Sequence, residues 1–168
     1  VYVTGRTLKE GDAALPGTIG ATAAAVTAAG GEGIAVQVDH ADAKATKALF
    51  DRVVSESGRL DILVNNAIAI PDELTQRKPF WEKSLSNWEM IDVGLRSNYV
   101  AAWHAAHIMT PQKSGLIVNI SGYVGVTYTY DVIFGACKSA TDRMARDLKR
   151  LADEAESSLN RSRDRGDS

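Results

Sequence analysis

Cysteine occurs once, at Cys137, so no disulfide can close within the chain, and no Cys/His grouping has the spacing of a zinc site. Basic charge is not in excess either. Nineteen Lys and Arg stand against 21 Asp and Glu, for a formal charge of −2. That balance leaves no surplus to neutralise phosphates, and no Lys/Arg-rich stripe carries interleaved aromatics, which excludes a nucleic-acid partner. No apolar run approaches the ~20 residues needed to span a bilayer, and the opening VYVTGRTLKEG has no signal-peptide core. The expectation is a soluble, cytoplasmic chain in a reducing compartment with no membrane partner. A glycine-rich turn between a strand and a helix is missing as well. Gly30, Gly31 and Gly33 precede a strand and read as a helix stop, and Val3-Thr4-Gly5 follows a strand but has Lys9 where a further glycine would fall.

What is present is an alternation of apolar strands and amphipathic helices over 168 residues, enough for one domain with a sizeable core. Val1–Thr4 reads as a strand ending in Gly5-Arg6, and Leu15-Pro16-Gly17 as a loop. Thr18–Ala29 reads as a helix with Ile19, Ala23 and Val26 on one face. Ile34–Val38 is the second strand. Asp42 is placed to cap a helix that buries Ala45, Leu49, Phe50, Val53 and Val54 and ends at Gly58. Leu60–Val64 is the third strand, followed by Asn65-Asn66-Ala67 and a long loop with Pro71, Pro79, Phe80 and Trp81. Ser86-Asn87-Trp88-Glu89 has capping-box spacing, which predicts one helix from there to about Met109 with Pro111 beyond it. Leu116–Ile120 is the fourth strand. A last helix starts near Val132 and runs through Met144, Leu148 and Leu151, while Glu154–Ser168 loses apolar periodicity and the tail RSRDRGDS reads as disordered. Strands alternating with helices predict βαβ units and a parallel sheet. His104 and His107 are three apart on a helix, but without a third ligand they read as packed or surface residues, as do Trp81, Trp88 and Trp103. Cys137 reads as a small helix residue packed against the sheet.

Five segments in order, VYVTGR, GRLDILVNNA, FWEKSLSNWEMIDVGLRSNYV, GLIVNIS and KSATDRMA, resemble the short-chain dehydrogenase/reductase (SDR) family over about residues 1–150. The resemblance implies a Rossmann-like, mainly parallel sheet flanked by helices and hydride transfer between NAD(P) and a small carbonyl or alcohol. It favours NADP(H) over NAD(H): Arg6 falls where a basic residue meets the 2′-phosphate. Asp39 and His40 fall where the family borders the adenine, Asn65, Asn66 and Ala67 where the chain passes the cofactor, and Lys138 on the lysine that contacts the nicotinamide ribose and lowers the pKa of the catalytic tyrosine.

Four departures accompany the likeness. The family Tyr-x-x-x-Lys reads Phe134-Gly135-Ala136-Cys137-Lys138, so the phenol is missing. The family serine falls on Gly122 in an ungapped match and on Ser121 with a shift of one, and the family asparagine falls on Asp92 or is lost to a one-residue deletion before Val93. The fourth is at the ends. The family's first strand with its glycine-rich turn, and its C-terminal strands, have no counterpart, so the chain reads as a partial Rossmann domain (1–150) followed by a helix end and a charged tail (151–168), and the pyrophosphate loses its usual cradle. In the family's strand order the missing strand lies between the first two strands and the last two. The expectation is therefore either direct pairing of Val1–Thr4 with Leu60–Val64 or two poorly joined halves with separate sheets. Function is read as an NADP(H)-dependent oxidoreductase by lineage, with this chain impaired or inactive. The alternative is a non-catalytic binding or assembly module, homo-oligomeric through helices 86–109 and 132–155, or a gene fragment.

Overall fold

The computed structural model describes residues 1–12 and 16–164. Leu15 of the expected first loop and residues 165–168 of the tail lie outside the described residues. In chain order the elements are β1 (Tyr2–Gly5), α1 (Ile19–Ala28), β2 (Ile34–Gln37), α2 (Ala43–Ser57), β3 (Ile62–Asn65), α3 (Glu89–Ile91), α4 (Ser97–Gln112), β4 (Leu116–Asn119) and α5 (Val132–Asp164).

The strands pair in parallel, as the alternation with helices requires. β1 lies beside β2 in register Tyr2↔Ile34 to Gly5↔Gln37, and β3 beside β4 in register Ile62↔Leu116 to Asn65↔Asn119. Among the described residues no strand joins the two pairs, so the chain forms two two-stranded sheets, and of the two arrangements expected the separate one is observed. What spans them is a helix contact. Phe50 of α2 packs into a buried cluster with Ala101, Ala105 and Met109 of α4, and Leu60, Leu63 and Ile117 close it from the β3–β4 side. Small residues on α4 let the two helices approach, and the Phe50 ring fills the space they leave. The ring also stacks on His104 at 5.4 Å.

Local chemistry sets the helix limits. The Thr18 side chain accepts the Ala21 N–H at the head of α1, and Asp42 accepts the Lys44 N–H at 2.7 Å at the head of α2. Gly33 is where the chain leaves α1 for β2 against the helix itself: a Cβ there would stand 1.9 Å from the Ala23 carbonyl oxygen. Thr46, Phe50 and Val53 form the buried face of α2, whereas Val54, expected inside, is exposed, one position past the stripe that meets α4.

Two expected helices are corrected. The single helix from Ser86 to Met109 is broken. Ser84, not Ser86, caps a 3-10 turn at Leu85–Trp88, and between α3 and α4 the backbone leaves helical geometry at Val93 (φ −111°, ψ 86°) and Gly94 (φ 153°, ψ −38°). Gly94 tolerates a conformation that a side chain would strain, and capping-box spacing carries no information about such a bulge. At the other end α4 absorbs Pro111 within its last turn and stops at Lys113 in the left-handed region. The second correction is α5, which continues to Asp164 instead of ending near 155. Lys149–Asp153 and Arg150–Glu154 ion pairs at i,i+4 support its solvated part up to Glu154. No helix of the described residues is long and apolar enough to cross a membrane.

Candidate active site

The C-terminal end of β4 and the second turn of α5 meet at Lys138. Its side chain is 7% exposed, and Nζ donates to the Ile120 carbonyl at 2.7 Å, the residue just past β4. Burying an ammonium costs heavily unless its protons are satisfied, so this bond, which also ties strand to helix, fixes where the cation sits. The next residue is Ser121, whose Oγ is buried with no hydrogen-bond partner. An orphaned buried hydroxyl costs ~1–3 kcal/mol, and none of the described residues satisfies this one. Of the two positions left open for the family serine, Ser121 carries the hydroxyl and adjoins the lysine's anchor. Gly122 is exposed.

Phe134 sits one turn before Lys138 on α5, half-buried, with its ring 6.3 Å from that of Tyr130. No hydroxyl stands at that position. Tyr123, Tyr128 and Tyr130 in the preceding loop are all exposed, and of the three Tyr130 alone has a ring contact with Phe134 among the described residues. Asp92 lies in the kink before Gly94, and its backbone carbonyl accepts the Ser97 N–H. The kink itself reaches α5: a Cβ on Gly94 would be 3.1 Å from Cys137 Sγ, and that thiol donates to the Met90 carbonyl at 3.2 Å. Cys137 is fully buried, and burial pushes its pKa up despite Lys138 beside it, so it packs as a small apolar residue and is no nucleophile.

Below this lies a set of amides that sequence reasoning named only in part. Asn65 Nδ2 donates to Asn119 Oδ1 at 2.9 Å and to the Asn98 carbonyl at 3.3 Å, joining the ends of β3 and β4 to α4. Asn119 was visible as a polar residue inside the apolar run GLIVNIS. Asn98 was visible as a polar residue on the alanine face of α4. Neither type of signal separates a structural amide from a functional one.

The residues expected around the nucleotide divide. Arg6 and Asn66 line one cleft of about 330 Å3, with Gly5, Gly17 and the Thr18 end of α1. At the head of α1 the Ile19 N–H donates to the Thr7 carbonyl and the Ala21 N–H to Thr18 Oγ1, while the Arg6 side chain takes part in no hydrogen bond or ion pair among the described residues. His40 is turned to β1, with Nε2 3.0 Å from Thr4 Oγ1, and burial lowers its pKa against the opposing pull of Asp39. Asp39 is exposed and accepts the Ala41 N–H at 2.9 Å, an Asx turn ahead of α2. Ala67 is half-buried beyond β3. His104 and His107 do not form a metal centre: the first stacks on Phe50, the second bonds the Trp103 carbonyl at 2.8 Å, and the described residues hold no group of three ligating side chains.

Parallel strands flanked by helices, with a buried lysine and an orphan serine beyond a strand's C-terminal end, define a Rossmann-like α/β protein. The family model described as short chain dehydrogenase matches residues 14–157, and the chain belongs to that family. Over 151 residues it is 39% identical to dehydrogenase/reductase SDR family member 1 of Mus musculus and 37% identical to that of Homo sapiens, covering 88% of this chain. The chain spans 46% of those relatives, a little under half their length. It is 38% identical over 101 residues to the 3-oxoacyl-(acyl-carrier-protein) reductase FabG of Staphylococcus aureus, over 60% of this chain and 39% of that one. Among solved structures, a metagenomic short-chain oxidoreductase in complex with NADP superposes with a TM-score of 0.73 at 25% identity, over 81% of this chain and 61% of that one.

Proposed function

We propose that the chain is an NADP(H)-linked oxidoreductase acting on a small carbonyl or alcohol, with turnover slowed by the absence of a phenol at Phe134. The observation that carries the reading is Lys138 buried against Ile120 beside the unpartnered Ser121 hydroxyl. The residues fit part of a dinucleotide: the unpaired guanidinium of Arg6 suits a 2′-phosphate, and Asn66 closes the same cleft. When bound, the nicotinamide supplies or accepts the hydride. In this reading Lys138 would supply the cation of the site, and Ser121 Oγ would donate to the carbonyl oxygen. The proton has no side-chain donor at position 134, so it must come from a slower source, such as water. Preference for NADP(H) follows from Arg6.

The test is binding of NADPH and NADH to the purified chain, followed by NADPH oxidation with a panel of ketones. NADPH binding that Arg6→Gln weakens, with slow ketone-dependent oxidation, is the expected result. Absence of both binding and turnover would sink the reading.

A second reading, an assembly module that is homo-oligomeric through α4 and α5, is favoured by one feature. Tyr99 and Trp103 stand exposed four apart on α4, with exposed His107 a further turn on, forming an aromatic face. A monomer by light scattering at micromolar concentration argues against it.

A further inference from the structure

Residues 75–79 and 128–130 face one another across an open cleft of about 610 Å3. It adjoins the candidate site, because Tyr130 on its wall contacts Phe134, one turn before Lys138. Both walls rest on one buried ion pair. Lys83 Nζ donates to the carbonyls of Glu73 (3.2 Å) and Leu74 (3.4 Å), just ahead of the first wall, and lies 3.5 Å from Asp131 Oδ2, just after the second. The two side chains are 6% and 4% exposed, and such a dry pair persists only when its remaining bonds are made. Asn87 Nδ2 donates to Asp131 Oδ2 at 3.1 Å, and the Ile133 N–H to Oδ1 at 2.9 Å. The ion pair therefore fixes where the two loops stand relative to each other and to the start of α5.

The first wall carries two cations. Lys78 pairs with Glu73 at 3.0 Å, and the Ser84 N–H and Lys78 hold that carboxyl below its ordinary pKa. Arg77 has no hydrogen bond or ion pair among the described residues, yet it lines the cleft opposite Tyr128 and Tyr130. A planar guanidinium left unpaired in a cleft lined also by two tyrosines is suited to an oxyanion carried on an aromatic body.

We propose that this cleft binds the anionic group, a carboxylate or a phosphate, of an aromatic carbonyl compound or alcohol. Arg77 takes the anion, and Tyr128 and Tyr130 flank the ring. The proposal rests on the oxidoreductase reading for the carbonyl; the anion follows from Arg77.

Calorimetric binding of 4-acetylbenzoate, 4-acetylphenyl phosphate and the neutral methyl 4-acetylbenzoate to the full chain tests it, without cofactor, for wild type, Arg77→Gln and Arg77→Lys. At least one anion is expected to bind the wild type about tenfold or more tighter than the ester, a preference lost in Arg77→Gln and partly kept in Arg77→Lys. Comparison of the two anions identifies which oxyanion the cleft takes. Equal binding of ester and anions, anion binding unchanged by Arg77→Gln, or no binding of any probe overturns it. No hydride moves in this measurement, so the two readings fail separately. A chain without turnover that shows the Arg77-dependent preference keeps the cleft and loses the oxidoreductase reading, and an active chain without the preference does the reverse.

Discussion

At the scale of single residues, the proposed site holds the Lys138 ammonium, the Ser121 hydroxyl and the Phe134 ring one turn before the lysine. Phe134→Tyr adds one oxygen to a half-buried ring beside Tyr130 and one turn from Lys138. A positioned proton donor contributes ~10²–10⁴ in rate, so ketone-dependent NADPH oxidation by this variant is expected to rise by about that factor. An unchanged rate would mean that another group, Tyr130 by position, already moves the proton. Ser121 gives a prediction of opposite sign for stability and activity. Its buried Oγ has no partner, and Ser121→Ala removes an unsatisfied hydroxyl that costs ~1–3 kcal/mol. The variant is expected to melt at the same or a higher temperature while losing turnover, and a lower melting temperature contradicts the orphan assignment.

At the scale of elements, the kink between α3 and α4 is the feature to which sequence pattern is blind. The apolar and small residues of 86–109 are spaced for a helix, and that spacing was legible. The break at Gly94 depends on what packs against it, with Cys137 Sγ and Ile68 each 3.1 Å from where a Cβ would stand. Gly94→Ala is expected to cost ~1–3 kcal/mol in denaturant unfolding, from strain at a positive φ and from contact with α5. A neutral substitution would mean that the kink relaxes to a continuous helix. The same blindness explains the rest of the site. Asn65 was legible because it closes β3 as part of Asn-Asn-Ala, and Lys138 because it stands four residues after an aromatic on the last helix. The Lys83–Asp131 pair was not, since 48 residues separate its members and each alone looks like a surface charge. The length of α5 was missed for a simpler reason: apolar periodicity reports packing, and Glu154–Ser168 has too few apolar residues to show it.

At the scale of the molecule, two sheets that exchange no strand hydrogen bonds depend on side-chain contacts between α2 and α4. Truncating Phe50 to alanine empties the centre of that contact, at a typical cost of ~3–5 kcal/mol, a large share of an ordinary domain's stability. Amides of β1 and β2 are then expected to exchange faster than those of β3 and β4, because the first pair loses its main attachment; uniform acceleration would show that the halves unfold as one. The stack of His104 on Phe50 makes the same junction sensitive to pH. Burial holds the His104 pKa below its ordinary 6.5, helped by Lys47 and His107 and opposed by Asp51. His40, bonded to Thr4, is lowered in the same direction by burial. A histidine whose folded pKa is depressed binds its proton more readily in the unfolded chain, so stability rises with pH while the two states differ. The contribution is complete above the unfolded value and is lost as pH falls through it toward the folded value. The melting temperature is therefore expected to fall between about pH 7.5 and pH 5.5. In His104→Gln and His40→Gln that slope is expected to flatten, most of all in the double variant. A slope unchanged in the double variant would place the sensitivity in the carboxylates instead, and the junction would be neutral to protonation.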